Sequence, residues 1–252
     1  VAGNLAVARW QGAARVPLTR DNSAAIINDP RSVGRRMNYE QARFNMIEQQ
    51  IRPWEVLDPD VLDLLFKVKR EAYVPAAYRD LAFADVEIPL GNGAAMWMPK
   101  MEARVLQALA LRRGDKLLEI GTGSGYFSAL CRSHGALVTS VEIDPSLAQS
   151  ARERLAAEGF NDLRLEVGDG SRGYGRDTYD VIVLTGSTPL LAESWFAQLN
   201  PGGRLFAVLG DAPAMSAQLI RWSAPGARVA VTLFETVVAP LRNAPAPSRV
   251  EF

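Results

Sequence analysis

The chain has one cysteine, Cys131, and one histidine, His134, among its 252 residues. A single cysteine excludes an internal disulfide framework and fits a reducing compartment. No Cys/His spacing resembles a metal site. Net charge is lacking too, because 28 Lys and Arg balance 28 Asp and Glu. There is accordingly no basic footprint of the kind duplex nucleic acid demands. Charges interrupt every hydrophobic segment before it reaches the ~20 residues of a membrane span. Hydrophobic content of 48% with 22% charged residues is ordinary for a globular protein, and the length allows one good core, or a main domain with a small appendage. The expectation is a soluble cytoplasmic enzyme or binding protein with no nucleic-acid or membrane partner.

Two familiar nucleotide-binding signatures are also missing. Lys116-Leu-Leu-Glu-Ile120 is a short apolar run with one acid, and Gly121, Gly123 and Gly125 alternate directly behind it. A helical pattern from Phe127 then ends at Gly135. Strand, glycine turn and helix open a nucleotide-binding βαβ unit. A dinucleotide fingerprint would place its third glycine where Tyr126 stands, and a P-loop would end in Gly-Lys-Ser/Thr. What is present is Glu119-x-Gly-x-Gly-x-Gly125, followed by the strand pattern Val138-Thr-Ser-Val-Glu142. Glu142 stands near the ~20-residue offset at which such folds place a ribose-binding acid. Loop and acid together resemble the S-adenosylmethionine site of class I methyltransferases.

Residues 1–36 carry six arginines, no lysine and two acids, with little periodicity. They are expected to be a disordered extension, with Met37 a plausible natural first residue. Residues 37–113 are expected to form N-terminal helices and an arm. The pattern predicts one helix from Asn38 to Ile51, stopped by Pro53, and a second capped by Asp58-Pro59 and closed by Lys69–Pro75. A turn-rich arm runs to Gly93, and a helix covers Pro99–Leu111.

Residues 114–252 are expected to hold the core. Strands are predicted at Lys116–Ile120, Leu137–Glu142, Leu163–Val167, Tyr179–Leu184 and Arg204–Leu209, with two more at Ala217–Trp222 and Val229–Thr236. A helix starts at Asp144-Pro145, and another covers Pro189–Leu199 and ends in Asn200-Pro-Gly-Gly203. Alternating strands and helices predict an α/β fold, a doubly wound, mostly parallel Rossmann-like sheet with an N-terminal helical subdomain. Ligands in such sheets sit at the carboxyl ends of the strands. That rule brings Glu119–Gly125, Glu142, Asp169 and Thr185–Ser187 to one rim.

From about Met37 to Pro240 the chain resembles protein-L-isoaspartate O-methyltransferases. The resemblance is carried by Val68-Lys-Arg-Glu-Ala-Tyr-Val74, Ile88-Pro-Leu-Gly-Asn-Gly93, Leu117–Tyr126, Ser140-Val-Glu142, Gly168-Asp-Gly170, Tyr179–Val183, Gln198–Leu205 and Val238-Ala-Pro-Leu241. It implies S-adenosylmethionine as cofactor, held by Glu119, Gly121, Thr122, Gly123 and Gly125, by Glu142 on the ribose, and by Asp169 and Gly170 near the adenine. It implies protein repair, with isoaspartyl residues of damaged peptides or proteins as acceptor. The substrate arm falls on Pro89–Met101, and there the sequence departs from the family. Where family members carry a Thr-x-Ser-Gln-Pro-like run, this chain has Ala95-Met-Trp97-Met98-Pro99. No catalytic residue is assigned beyond this arm.

A carboxylate acceptor is already ionised at neutral pH, so alignment rather than a strong base is what methyl transfer to it needs. The scarcity of histidine fits that chemistry. His134 reads as a helix-end residue, Cys131 as a small buried apolar side chain, and Trp10, Trp54, Trp195 and Trp222 as packing. Trp97 is expected at a substrate mouth. A different, small acceptor and a non-catalytic cofactor-binding protein are the alternatives.

Overall fold

Alternation along the strands sorts their side chains onto two cores. In the computed structural model, which describes residues 37–224 and 226–247, Leu117, Val181 and Val183 pack in one apolar cluster. Their neighbours Leu118, Ile182 and Leu184 pack in the other. Successive strand residues face opposite ways, so strands apolar at every position must be covered on both faces. The first cluster is closed by the N-terminal helices and the second by Ala192, Trp195 and Phe196.

The elements follow in chain order. Helix α1 (Tyr39–Met46) and helix α2 (Pro59–Lys67) precede a hairpin of β1 (Ile88–Gly91) and β2 (Ala94–Met96), then α3 (Pro99–Leu109). The hairpin turns at Asn92-Gly93, both at positive φ (50° and 78°), as a type I′ turn requires. Next come β3 (Lys116–Ile120), α4 (Tyr126–His134), β4 (Leu137–Glu142), α5 (Pro145–Ala157) and β5 (Arg164–Val167). The chain then crosses to β6 (Tyr179–Thr188), α6 (Glu193–Ala197), β7 (Leu199–Asp211), β8 (Ala214–Ala224) and β9 (Ala227–Glu235). The large sheet has the order β5-β4-β3-β6-β7-β8-β9. It is parallel from β5 to β7 and antiparallel at β8 and β9. The α/β, mostly parallel sheet with N-terminal helices is therefore as the sequence implied.

Proline-led caps start two helices where expected. Asp58 accepts from the Asp60 N–H to begin α2, and Asp144 accepts from the N–H groups of Ser146 and Leu147 to begin α5. Three expected elements differ. The first helix does not run evenly to Ile51: it widens into a π-turn over Ile47–Ile51 and tightens into a 3-10 turn over Arg52–Trp54. The wide turn lets Ile47 and Ile51 both reach the core fully buried. Residues 69–75 do not extend α2, which ends at Lys67; Arg70–Ala72 makes a separate 3-10 turn that sinks Arg70 and Glu71 inward. The predicted Pro189–Leu199 helix shrinks to α6, because β6 runs on to Thr188 and β7 begins already at Leu199. Asn200–Gly203, expected as a turn, consequently lies within β7.

From Asn38 onward the chain is one compact unit. The expectations for residues 1–36, Trp10 included, lie outside the described residues. None of the described helices is long and apolar enough to cross a membrane.

Candidate cofactor and acceptor site

The chain leaves β3 for β4 and β5 on one side, then returns to β6 on the other side of β3. Strand order reverses between β3 and β6, the place where open α/β sheets bind ligands. The glycine loop sits there. Gly121, Gly123 and Gly125 all have positive φ, at 99°, 55° and 87°. At Gly121 a Cβ would come within 2.1 Å of the Thr185 hydroxyl oxygen. That hydroxyl, 2.9 Å from the Ile120 carbonyl and 2.7 Å from the Gly121 carbonyl, donates into the loop from β6. The loop is thus pressed onto the sheet, and only glycine permits the approach.

Glu142 at the tip of β4 accepts from the Gly123 N–H at 2.9 Å and the Asp144 N–H at 3.1 Å. These bonds fix a carboxylate beside bare main chain. Asp169 accepts from the Ser171 N–H and the Asn243 amide, both at 2.8 Å. Burial opposes its ionisation, but these bonds outweigh burial and hold its carboxyl below the usual range. Gly170 is close to the sheet, since a Cβ there would sit 2.7 Å from the Ile120 side chain. The tail closes over the loops: Leu241 N–H donates to the Ser187 carbonyl, and Arg242 donates to the Asn92 carbonyl. Asn92 in turn donates to Asp144 at 2.7 Å.

Glu119 is fully buried at the end of β3. Its Oε2 accepts from the hydroxyls of Ser128 and Ser140, while its Oε1 is buried with no partner. Burial pushes the carboxyl up to about 7, against the two serines that favour its charged form. The sign of the consequence follows. A carboxyl raised in the folded state costs stability once pH exceeds its ordinary value of 4.5, and the cost grows until about 7. Unfolding free energy should therefore fall by up to ~1.4 kcal/mol per pH unit across that window from this group. Glu119→Gln should flatten that fall, which denaturant melts across the window will read; an unchanged slope would remove the assignment.

These residues surround one cleft of about 380 Å³, within the range of small-ligand pockets. Its lining carries the carboxyl groups of Glu87, Glu102, Glu119, Glu142 and Asp169 against the single base Arg242. The carboxylates of Glu142 and Asp169 favour a cationic ligand. The unpartnered Glu119 oxygen, the anchored Glu142 carboxylate and the acidic lining fit a cofactor with a sugar diol and a positive sulfonium.

Of the sequence-predicted residues, the structure brings Glu119, Gly121, Thr122, Gly123, Glu142, Asp169, Gly170, Ala95 and Trp97 to this cleft. Gly125, Met98 and Pro99 stand off its lining: Gly125 opens α4, Met98 precedes α3 and Pro99 is its first residue. Trp97 is 6% exposed, packed edge-on against Phe127 and Phe206 at 5.5 and 5.9 Å between ring centres. It lines the cleft from inside the core rather than from its mouth. His134 ends α4 and Cys131 is fully buried, its thiol pushed well up by burial, so neither enters the site.

Thr185, expected on the rim, lines the cleft; residues to which sequence reasoning gave no role are Glu102, Arg70, Ser128 and Ser140. Glu102 carried a signal. It shares the buried stripe of α3 with Val105, Leu106 and Leu109, and an acid on an apolar stripe is the exception that asks for a reason.

The model of the family described as protein-L-isoaspartate(D-aspartate) O-methyltransferase matches residues 41–244. The chain belongs to that family. A Petrotoga mobilis protein-L-isoaspartate O-methyltransferase is 36% identical over 69% of this chain and 83% of its own. The Methanoculleus marisnigri protein of the same name is 40% identical over 67% of this chain and 77% of its own. A Plasmodium falciparum structure assigned to this enzyme class, in complex with S-adenosyl-L-homocysteine, superimposes with a TM-score of 0.68. It covers 82% of this chain and 99% of its own at 16% identity, a likeness of fold. This family member is accordingly an S-adenosylmethionine-dependent methyltransferase, and most of the sequence-predicted cofactor residues line the cleft at the β3/β6 switch.

Proposed function

We propose that the protein methylates the side-chain-like carboxylate of L-isoaspartyl residues in peptides and proteins. The observation that carries this reading is the convergence of Glu142, the glycine loop and the arm residues Ala95 and Trp97 on one cleft, in a chain of this family. S-adenosylmethionine supplies an electrophilic methyl group on a sulfonium. The chain's own residues do the rest. Glu142 accepts from the ribose hydroxyls, and Asp169 and Gly170 border the adenine end. Gly121 and Gly123 bring main chain against the cofactor, and Glu119 offers its unpartnered oxygen as an acceptor. The arm shapes the acceptor end and excludes water.

The acceptor carboxylate needs no base, since it is ionised near pH 4 and above. What accelerates the reaction is alignment, which contributes roughly 7–11 kcal/mol in favourable cases. The buried, unpaired Cys131 suits a reducing cytoplasm, where we place the protein.

Purified protein given methyl-labelled S-adenosylmethionine should label an isoaspartyl peptide and leave its aspartyl counterpart unlabelled. A different acceptor has one observation in its favour, the hydroxyl-free run Ala94-Ala-Met-Trp97 lining the arm side. Cofactor uptake with an unlabelled isoaspartyl peptide would favour that reading, and a protein that binds the cofactor but labels no acceptor would favour a binding role.

A further inference from the structure

The arm poses a problem of pairing. Ala94, Ala95, Met96 and Trp97 line their side of the cleft with Phe127, and none of these side chains offers a hydroxyl or amide. A carboxylate carried into apolar surroundings without a donor costs several kcal/mol. Arg70 lies nearby but is committed. Its Nε donates to Glu102 at 3.0 Å, and its two terminal nitrogens donate to the Ala82 and Trp97 carbonyls. At 1% exposure it is packed behind the cleft wall.

The Trp97 indole N–H is one donor on that side, and Glu102 is the other polar side chain there. It lies in the first turn of α3, directly after the arm, is 2% exposed, and borders the cleft. Arg70 takes its Oε2, which leaves Oε1 for a ligand. We propose that the Glu102 carboxyl donates the hydrogen bond that holds the acceptor carboxylate at the arm end of the cleft. This rests on the carboxylate-methylating reading above and names the residue that gives the site its grip on the acceptor.

The surroundings support a neutral Glu102. Arg70 faces it from the 3-10 turn and Tyr126 from α4, with Arg43 and Tyr73 behind them. Glu87 and Glu119, both acids, also line the cleft. Burial pushes the Glu102 carboxyl up to about 8, against the Arg70 charge that favours ionisation. A neutral carboxylic acid donates through its O–H, as buried acids do elsewhere when an oxyanion must be held. An ionised Glu102 would instead set a second negative charge beside the acceptor. The sign is then fixed: acceptor binding is strongest below about 8 and weakens as pH rises through it.

The test measures isoaspartyl-peptide binding by calorimetry, with S-adenosylhomocysteine already bound, on both sides of pH 8. Wild-type affinity is expected to fall about tenfold per pH unit above 8, while S-adenosylhomocysteine affinity stays flat. Glu102→Gln keeps a donor and an acceptor for Arg70, and should flatten the peptide's pH dependence. Isotope-edited infrared spectra at neutral pH should show the carbonyl band of a protonated Glu102 that Glu102→Gln removes. Peptide binding that strengthens above pH 8, an unaltered profile in Glu102→Gln, or a carboxylate band at neutral pH overturns the inference alone. Wild-type protein that binds S-adenosylhomocysteine but no isoaspartyl peptide at any pH overturns the reading beneath it, and this inference with it.

Discussion

Glu142→Ala is expected to weaken S-adenosylhomocysteine binding by about a hundredfold or more, while the protein stays folded. In the proposed function the Glu142 carboxylate, at the tip of β4, takes both hydroxyls of the ribose. A hydrogen bond to a charged group is worth about 1.5–3 kcal/mol net, so losing two removes at least ~3 kcal/mol. Each ~1.4 kcal/mol is a tenfold change in affinity. The alanine also frees the Gly123 and Asp144 N–H groups that Glu142 now holds, which loosens the loop and adds to the loss. Glu142→Gln separates the two effects, because its carbonyl oxygen retains one acceptor and its size holds the loop. It should bind more weakly than wild type and more tightly than Glu142→Ala. Equal affinity in all three proteins would take the ribose away from Glu142 and remove the physical basis for this cofactor site.

The cofactor half was legible because its signals are local. Alternating glycines behind a short apolar run, an acid ending the next strand, and proline after Asp144 each depend on a few neighbouring residues. Backbone sterics read them in nearly the same way in any context. The structure brings Gly123 and Glu142 together across the ends of neighbouring strands, while Gly121 is held from β6 by Thr185.

What the sequence hid depends on pairing across long separations. Strand β6 runs past its apolar stretch because Ser187 and Thr188 pair with Val208 and Leu209, and Ser187 with the tail at Ala239 and Leu241. Those bonds take residues that local propensity offered to a helix, the usual way tertiary context overrides it. The burial of Trp97 was hidden for a related reason. Its alternatives, mouth or core, differ only in whether Phe127 and Phe206 stand behind it, and those two lie far apart in the chain. Its burial also changes what can be asked of it. Trp97→Ser would open a cavity in the first core, so a loss of activity in that variant would report stability as much as specificity.

The buried pair beneath the arm predicts the largest loss of stability. Arg70→Ala should lower the unfolding free energy by roughly 2–6 kcal/mol at neutral pH, the cost of the two buried carbonyls it leaves without a donor. The guanidinium has three acceptors, Glu102, Ala82 and Trp97, and it lies 5.5 Å from the centre of the Tyr126 ring. Alanine leaves two buried carbonyls without a donor, at roughly 1–3 kcal/mol each, and a void where the side chain was. The protonation state of Glu102 decides how the loss varies with pH. If Glu102 is neutral below about 8, most of the loss there comes from the carbonyls and the void. Above that pH an ionised Glu102 without Arg70 becomes an uncompensated buried charge, and the loss should deepen. A double-mutant cycle with Glu102→Gln should then give a small coupling at neutral pH and a coupling larger by ~1 kcal/mol or more one unit above 8. A coupling that is already large at neutral pH and does not change would mean that the pair is ionised throughout. The arm end would then present a fixed negative charge, and an anionic acceptor would have only the Trp97 indole N–H to meet it there.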